Sequence, residues 1–215
     1  MDWGILANLA TAAGTLALAI ATFFSIRSAN RSNRTAEGAL RQGMRPILLP
    51  SLFTDPVQKI HYVDDHWLRV PGGRAVLEVT PTAAYLGLSV RDIGTGPAVV
   101  DGWDLVASSR DDRRPLSEYH LLTRDIYVPA GACGYVQVAA REPTGSEYQA
   151  LSRAEREHQT FAVDVLYSDI DGTQHHVIRI ALSKTPGQEE DGHVWALNEV
   201  RHWTMVDEPV PARHA

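Results

Sequence analysis

Residues 3–26, WGILANLATAAGTLALAIATFFSI, carry no charged side chain. At about 1.5 Å per residue, an uncharged helix of this length reaches across a hydrocarbon core of roughly 30 Å. A helix satisfies its own backbone hydrogen bonds in lipid, so few other fates suit such a run. A cleaved signal peptide would want basic residues ahead of a shorter apolar core; Met1 and Asp2 stand there instead. A buried core helix would show a polar face, and the only polar residues here are Asn8, Thr11, Thr15, Thr22 and Ser25. The expectation is a single transmembrane anchor over residues 1–26.

The flanks set an orientation. No Lys or Arg precedes the run, while Arg27, Arg31, Arg34, Arg41 and Arg45 follow it. Arginine on the C-terminal side holds that side in the cytoplasm. The amino terminus is then expected outside a plasma membrane and the rest of the chain inside. A lone cysteine, Cys133, fits a reducing compartment. Residues 27–45 read as a basic juxtamembrane helix or neck, its arginines following one helical face with Gly38 in the vacant place. Arg27, Arg31 and Arg34 are close enough to meet anionic headgroups, at about 1 kcal/mol each. A plain topology signal is the simpler reading of the same three residues. Pro46 cannot continue a helix and is expected to end the neck. Within the anchor, Ala10 and Gly14 stand four apart, as do Ala17 and Ala21. That spacing lets two membrane helices approach closely, although an alanine-rich run also scatters such pairs by chance.

Charge changes sign along the chain. Residues 1–45 hold five arginines against Asp2 and Glu37, a net of +3; the whole chain is −6, leaving −9 for residues 46–215. A domain this acidic is repelled by phosphate backbones, which argues against nucleic-acid binding. It is repelled equally by an anionic inner leaflet.

Residues 46–206 are numerous enough for one domain with its own core. Short apolar runs broken by Gly, Pro, Asp and Ser recur throughout, the pattern of an all-β, immunoglobulin-like sandwich. Strands are expected at 47–53, 60–70, 74–80, 84–92, 98–108, 121–128, 134–140, 161–168, 175–182 and 194–206. A short helix capped by Ser146 is expected over 146–158, and residues 207–215 read as a flexible tail. The fold class is thus mainly β, one transmembrane α-helix followed by a sandwich. Within it the hairpin over 161–182 is the best specified. Asp171-Gly172 suits a two-residue type I′ turn, which pairs residues whose numbers sum to 343. Phe161, Val163, Val165 and Tyr167 then face Leu182, Ile180, Ile178 and His176 on one side. Asp164 meets Arg179 on the other as an opposite-charge pair.

The turn Asp92-Ile93-Gly94-Thr95-Gly96-Pro97-Ala98 resembles the N-x-G-x-G-P-A turn of uncharacterised bacterial single-pass membrane proteins, with Asp92 where Asn is usual. Those proteins join an anchor helix and basic neck to a β-rich soluble domain. Tyr167, Asp169 and Gly172 match their Y-x-D-x-x-G hairpin. The resemblance covers the anchor, this turn and that hairpin. It implies architecture and brings no active site.

Catalytic and cofactor motifs do not assemble. His61 and His66 bracket Asp64-Asp65, and His175-His176 follow Asp169 and Asp171. Neighbouring strand residues point to opposite faces, so neither histidine pair presents the one-sided ligand set of a zinc site. Asp169-Ile170-Asp171-Gly172 opens like a calcium loop but lacks its later acidic positions. Gly94-Thr95-Gly96 is followed by a strand, with no third glycine of a dinucleotide fingerprint. Cys133 has no base that can be argued beside it. Asp111-Asp112 and Glu189-Glu190 lie in hydrophilic loops as solvated charge. Tyr62, Trp67, Trp103, Trp195 and Trp203 could line a cleft, but packing between sheets is the commoner use of such residues.

The expected function is therefore non-enzymatic, with no cofactor: a membrane-anchored protein-interaction or scaffolding module. Its expected partners are the lipid bilayer and another protein. A small-ligand or carbohydrate-binding domain on the outer face is the alternative, and requires the opposite topology. Hydrolysis requires a buried cleft that gathers distant His and Asp side chains.

Overall fold

The structure, a computed structural model, describes residues 3–106, 113–184 and 193–205. The chain divides into two compact units, Met1–Gly43 and Met44–Ala215. The first is one α-helix, α1 (Trp3–Gly43). Its side chains are described at Gly4, at 13–33 and at Gly43. The helix runs on through the glycines and asparagines of the neck and stops before Pro46. The boundary expected at residue 45 falls instead at Gly43, so Arg45 belongs to the β unit and not to the neck.

Among the described residues no helix is long and apolar enough to cross a membrane. The apolar residues from Ala13 to Ile26 give way directly to Arg27, Asn30, Arg31 and Asn33. The structure therefore does not show the expected transmembrane span.

The second unit is mainly β. Its strands are β1 (Leu48–Pro50), β2 (Gln58–His61), β3 (Trp67–Val70), β4 (Arg74–Val79), β5 (Ala84–Asp92), β6 (Ala98–Val106), β7 (His120–Val128), β8 (Cys133–Ala140), β9 (Phe161–Ser168), β10 (His175–Ser183) and β11 (Val194–Met205). A helix, α2 (Ser146–Glu157), separates β8 from β9. The expected strand over 60–70 is a hairpin, β2–β3, turning through Asp65 at φ +62°. The α2 N-cap is Gly145, which makes no side-chain cap, rather than Ser146. The expected tail at 207–215 lies outside the described residues.

Among the described residues nine strands form one antiparallel sheet rather than the two facing sheets of an immunoglobulin-like sandwich. β8 runs along one edge of β5, over Ala84 to Arg91, so β4 and β1 share the other edge end to end. The order continues β11, β10, β9, β6, β7. Register shifts at Arg179/Ile180 and Val100/Gly102 add local bend and twist, and the sheet curls around a single apolar core. α2 adds Leu151 and Ala154 to that core. Trp195 is fully buried there and Trp103 nearly so.

The hairpin β9–β10 has the expected register, from Phe161↔Leu182 to Ser168↔His175, with Val165 opposite Ile178. Its turn differs. Asp171 does not take the positive φ of a type I′ turn, and only Gly172 does, at +64°. Asp169 N–H donates to the Gln174 carbonyl, leaving a four-residue loop. The Asp169 carboxylate accepts from the Thr173 N–H and hydroxyl at 2.7 Å each, and from the Gln174 N–H. A four-residue loop centred on the same point preserves the register that a two-residue turn would give.

Two smaller layers lie outside the sheet. The β2–β3 hairpin packs Ile60, Tyr62, Leu68 and Val70 on Val76 and Tyr85. A 3-10 turn, Leu116–Glu118, brings Leu116 and Tyr119 over Leu166, Val177 and Trp203. That cover buries the Asp164–Arg179 pair, whose two hydrogen bonds are 2.7 Å each.

Candidate functional site

The curl does not close. β7 and β8 approach each other near the Pro129–Ala132 turn that joins them, yet share no ladder. β7 also leaves its other neighbour: Val100 faces Ile126 and Gly102 faces Leu121, so Asp101 alone opposes residues 122–125. The result is an open seam with a cleft of about 260 Å³, lined by Leu121–Thr123 of β7, Gln137 and Ala139 of β8, Arg141, Tyr62, Val63, Trp103 and His120.

Side chains rather than backbone span this seam. Arg124, projecting from the bulge, donates through Nη2 to the Gln137 Oε1 at 2.8 Å and to the His61 carbonyl at 2.9 Å. Both acceptors are neutral, and Arg124 makes no ion pair among the described residues. Arg141 on the far rim donates to Asp64 Oδ2, which also accepts from the Tyr85 hydroxyl at 2.6 Å. Burial works to raise the Asp64 pKa, but the bonds from Tyr85 and Arg141 outweigh it and hold the carboxyl below its usual range. The His120 ring stacks on Trp103 at 4.6 Å and approaches Glu147 at 3.4 Å. Trp103 therefore offers no open face to a ligand. The rim does expose apolar side chains: Val63 is 74 % and Trp67 56 % accessible, the latter stacked on His61 at 4.2 Å.

A second polar cluster lies inside the other end of the curled sheet. There the Asp92 carboxylate accepts from the Ile47 and Gly94 N–H groups, at 2.9 and 2.7 Å, so the aspartate in place of asparagine still makes the turn's hydrogen bond. Arg45 and Met44 pass so close over Gly94 and Gly96 that a Cβ at either would strike backbone. Burial pushes the Asp92 carboxyl up, opposed by those N–H donors. Tyr167 bonds His202 Nε2 and accepts from the Leu48 N–H. His176, with no accessible surface, bonds Thr204 Oγ1 at 3.1 Å through Nδ1, while its Nε2 has no partner among the described residues. Burial, then the Arg45 guanidinium, bring the His176 pKa down to about 4 and lower that of His202. Arg45 bonds Thr204 Oγ1 at 3.2 Å. A cation placed here would meet that guanidinium.

Of the residues singled out from the sequence, Tyr62, Asp64 and Trp103 meet at the seam and His176 lies in the second cluster. Arg27 and Arg31 are exposed on α1, and the side chain of Arg34 lies outside those described. Gly14, Ala17 and Ala21 are exposed, and a Cβ on Gly14 meets nothing within 4 Å; the Ala10 side chain is not among those described. His175 turns toward Asp101 at 3.6 Å, and His66 toward Glu78. Cys133 is half-buried and accepts from Gln58 Nε2. Among the described residues no group of three or more His, Cys, Asp or Glu can hold a metal ion. Asp111-Asp112 and Glu189-Glu190 lie outside them. No known protein family, curated protein or solved structure matches the chain.

Proposed function

We propose that the chain is a membrane-tethered protein-interaction module. The first part of α1 sits in the bilayer, Arg27, Arg31 and Arg34 lie at the cytoplasmic headgroups of the plasma membrane, and the β unit is presented inside the cell. One observation carries the tether. Leu16, Leu18, Ile20, Phe23, Phe24 and Ile26 of α1 are each at least half exposed. At 100° per residue they spread over roughly two-thirds of the helix circumference. A single partner helix would need only a stripe; exposed apolar side chains over so wide an arc match a lipid surround. The Thr22 hydroxyl is satisfied by the Leu18 carbonyl at 2.7 Å, as a polar group in hydrocarbon must be. The uncharged run also continues for ten residues ahead of Ala13 in the sequence, back to Trp3.

The interaction role draws on the rim of the seam, where Val63 and Trp67 stand exposed beside an unpaired strand edge. Large exposed apolar and aromatic side chains at an open edge suit a protein surface. The cleft itself favours a second reading, a small-ligand site on the outer face, but the Trp103 ring is taken by His120 and leaves no platform for a sugar.

Fractionation tests the tether. The full chain is expected to stay with membranes through an alkaline carbonate wash, and release into the supernatant refutes the reading. Orientation is tested with Glu157→Cys in a Cys133→Ser background, since Glu157 is exposed. An impermeant thiol reagent is expected to label it only after lysis; labelling of intact cells places the β unit outside.

A further inference from the structure

We propose that the seam between β7 and β8 receives an extended segment of a partner protein, which pairs with the free edge of β7 and sets a carboxylate against Arg124. The inference rests on the interaction role argued above and names its partner class. Three independent features meet at this place. Among the described residues, β7 pairs only with β6 and β8 only with β5, so two strand edges face each other across the opening. A strand entering there finds backbone donors and acceptors on offer, the usual basis of strand addition. Arg124 spans the opening with its charge directed at two neutral oxygens. A carboxylate exchanges those bonds for charge-assisted ones, which are shorter and stronger. Val63 and Trp67, exposed on the adjoining hairpin, add apolar anchors of the kind that dominate protein interfaces.

Other occupants fit less well. A bare anion gains nothing from Val63 and Trp67, and a sugar finds no open aromatic face. A bulge and a charged residue also protect edges against chance pairing, and the experiment separates protection from recognition.

Detergent-solubilised full-length protein is panned against a random-peptide display library, and the enriched sequence is synthesised with its acid intact and as the amide. The expected outcome is enrichment of Asp or Glu within β-branched and aromatic residues. The bound peptide slows amide exchange in residues 120–126 and 136–140. The amide peptide and Arg124→Gln each weaken binding about tenfold, with no further loss when combined. Trp67→Ala weakens binding with an unchanged melting curve, because the ring is exposed. Failure to enrich any sequence, protection elsewhere in the chain, or equal affinity of acid and amide peptides each overturns the proposal. The amide peptide tests the charge pair without altering the protein, so a poorly folded Arg124 variant does not obscure the result. Peptide binding in detergent is independent of the carbonate wash, so loss of one reading leaves the other standing.

Discussion

Removing one half of the buried Asp164–Arg179 pair should cost far more than removing both. Asp164 has no accessible surface and Arg179 only 5 %, and the guanidinium meets both carboxylate oxygens at 2.7 Å. Arg179→Met leaves the Asp164 carboxylate without its counter-ion beneath Tyr119 and Trp203. Breaking a buried pair in this way costs about 3–5 kcal/mol. Loss of the guanidinium from the Trp203 ring, 5.4 Å away, adds about 0.5–1 kcal/mol. For a domain of this size the melting temperature should fall by on the order of 10 °C. The paired replacement Asp164→Leu with Arg179→Met removes both charges into a layer already lined by Leu116, Leu166 and Val177. It should recover most of the loss, because the desolvation of two ions disappears with their attraction. Urea melts of the full chain in detergent, followed by tryptophan fluorescence, measure all three proteins. A cost under about 1 kcal/mol for Arg179→Met, or a double variant no better than the single one, refutes the reasoning.

Acid should weaken the β unit through His176. Its folded pKa of about 4 lies below the ordinary 6.5, so the unfolded chain binds the proton first; stability is complete above pH 6.5 and falls as pH drops toward 4. His176→Phe should flatten that slope in urea melts at stepped pH, and an unchanged slope refutes the assignment. Gly96→Ala should cost about 2 kcal/mol or more, because its Cβ strikes the Met44 backbone; thermal melts decide, and a parent-like curve shows that the strand entry shifts freely. Gly14→Leu should leave the β-unit melt unchanged, since space around Gly14 is open. It should reduce crosslinking between copies in membranes if Ala10, Gly14, Ala17 and Ala21 form a packing face, and unchanged crosslinking removes that face.

Much of the β unit was legible because local pattern and tertiary demand agree there. Val163, Val165, Ile178 and Ile180 alternate strictly, and a one-residue slip would turn them all away from the core, so the register follows from the sequence alone. The turn departs from the two-residue form that Asp171-Gly172 suggests by itself. The outcome is decided by Asp169, whose carboxylate binds two N–H groups and a hydroxyl four and five residues on. Similarly, 60–70 alternates well enough for one strand, and the break at Asp64-Asp65 was the signal that two were present.

Asp164 and Arg179 pair across the strands as expected, and their burial comes from a layer that the hairpin alone does not show. Leu166 and Val177 sit opposite each other on that same face, and two apolar residues there already required a cover. The cover comes from Leu116 and Tyr119, nearly fifty residues earlier in the chain, and nothing in the local spacing announces it. The seam is harder still to read. Residues 121–128 have the composition of an ordinary strand, yet the site depends on four of them bulging past Asp101 and on the sheet stopping one ladder short of closure. Composition does not encode where a curled sheet fails to meet itself. What it does leave visible is Arg124 in a domain of net negative charge, an arginine whose hydrogen bonds among the described residues go to neutral oxygens. An arginine on an exposed strand edge reads as protection when its neighbours are water. Held across an opening between two free strand edges, the same arginine lowers the cost of bringing in a third strand that carries an acid, and raises it for one that carries a base.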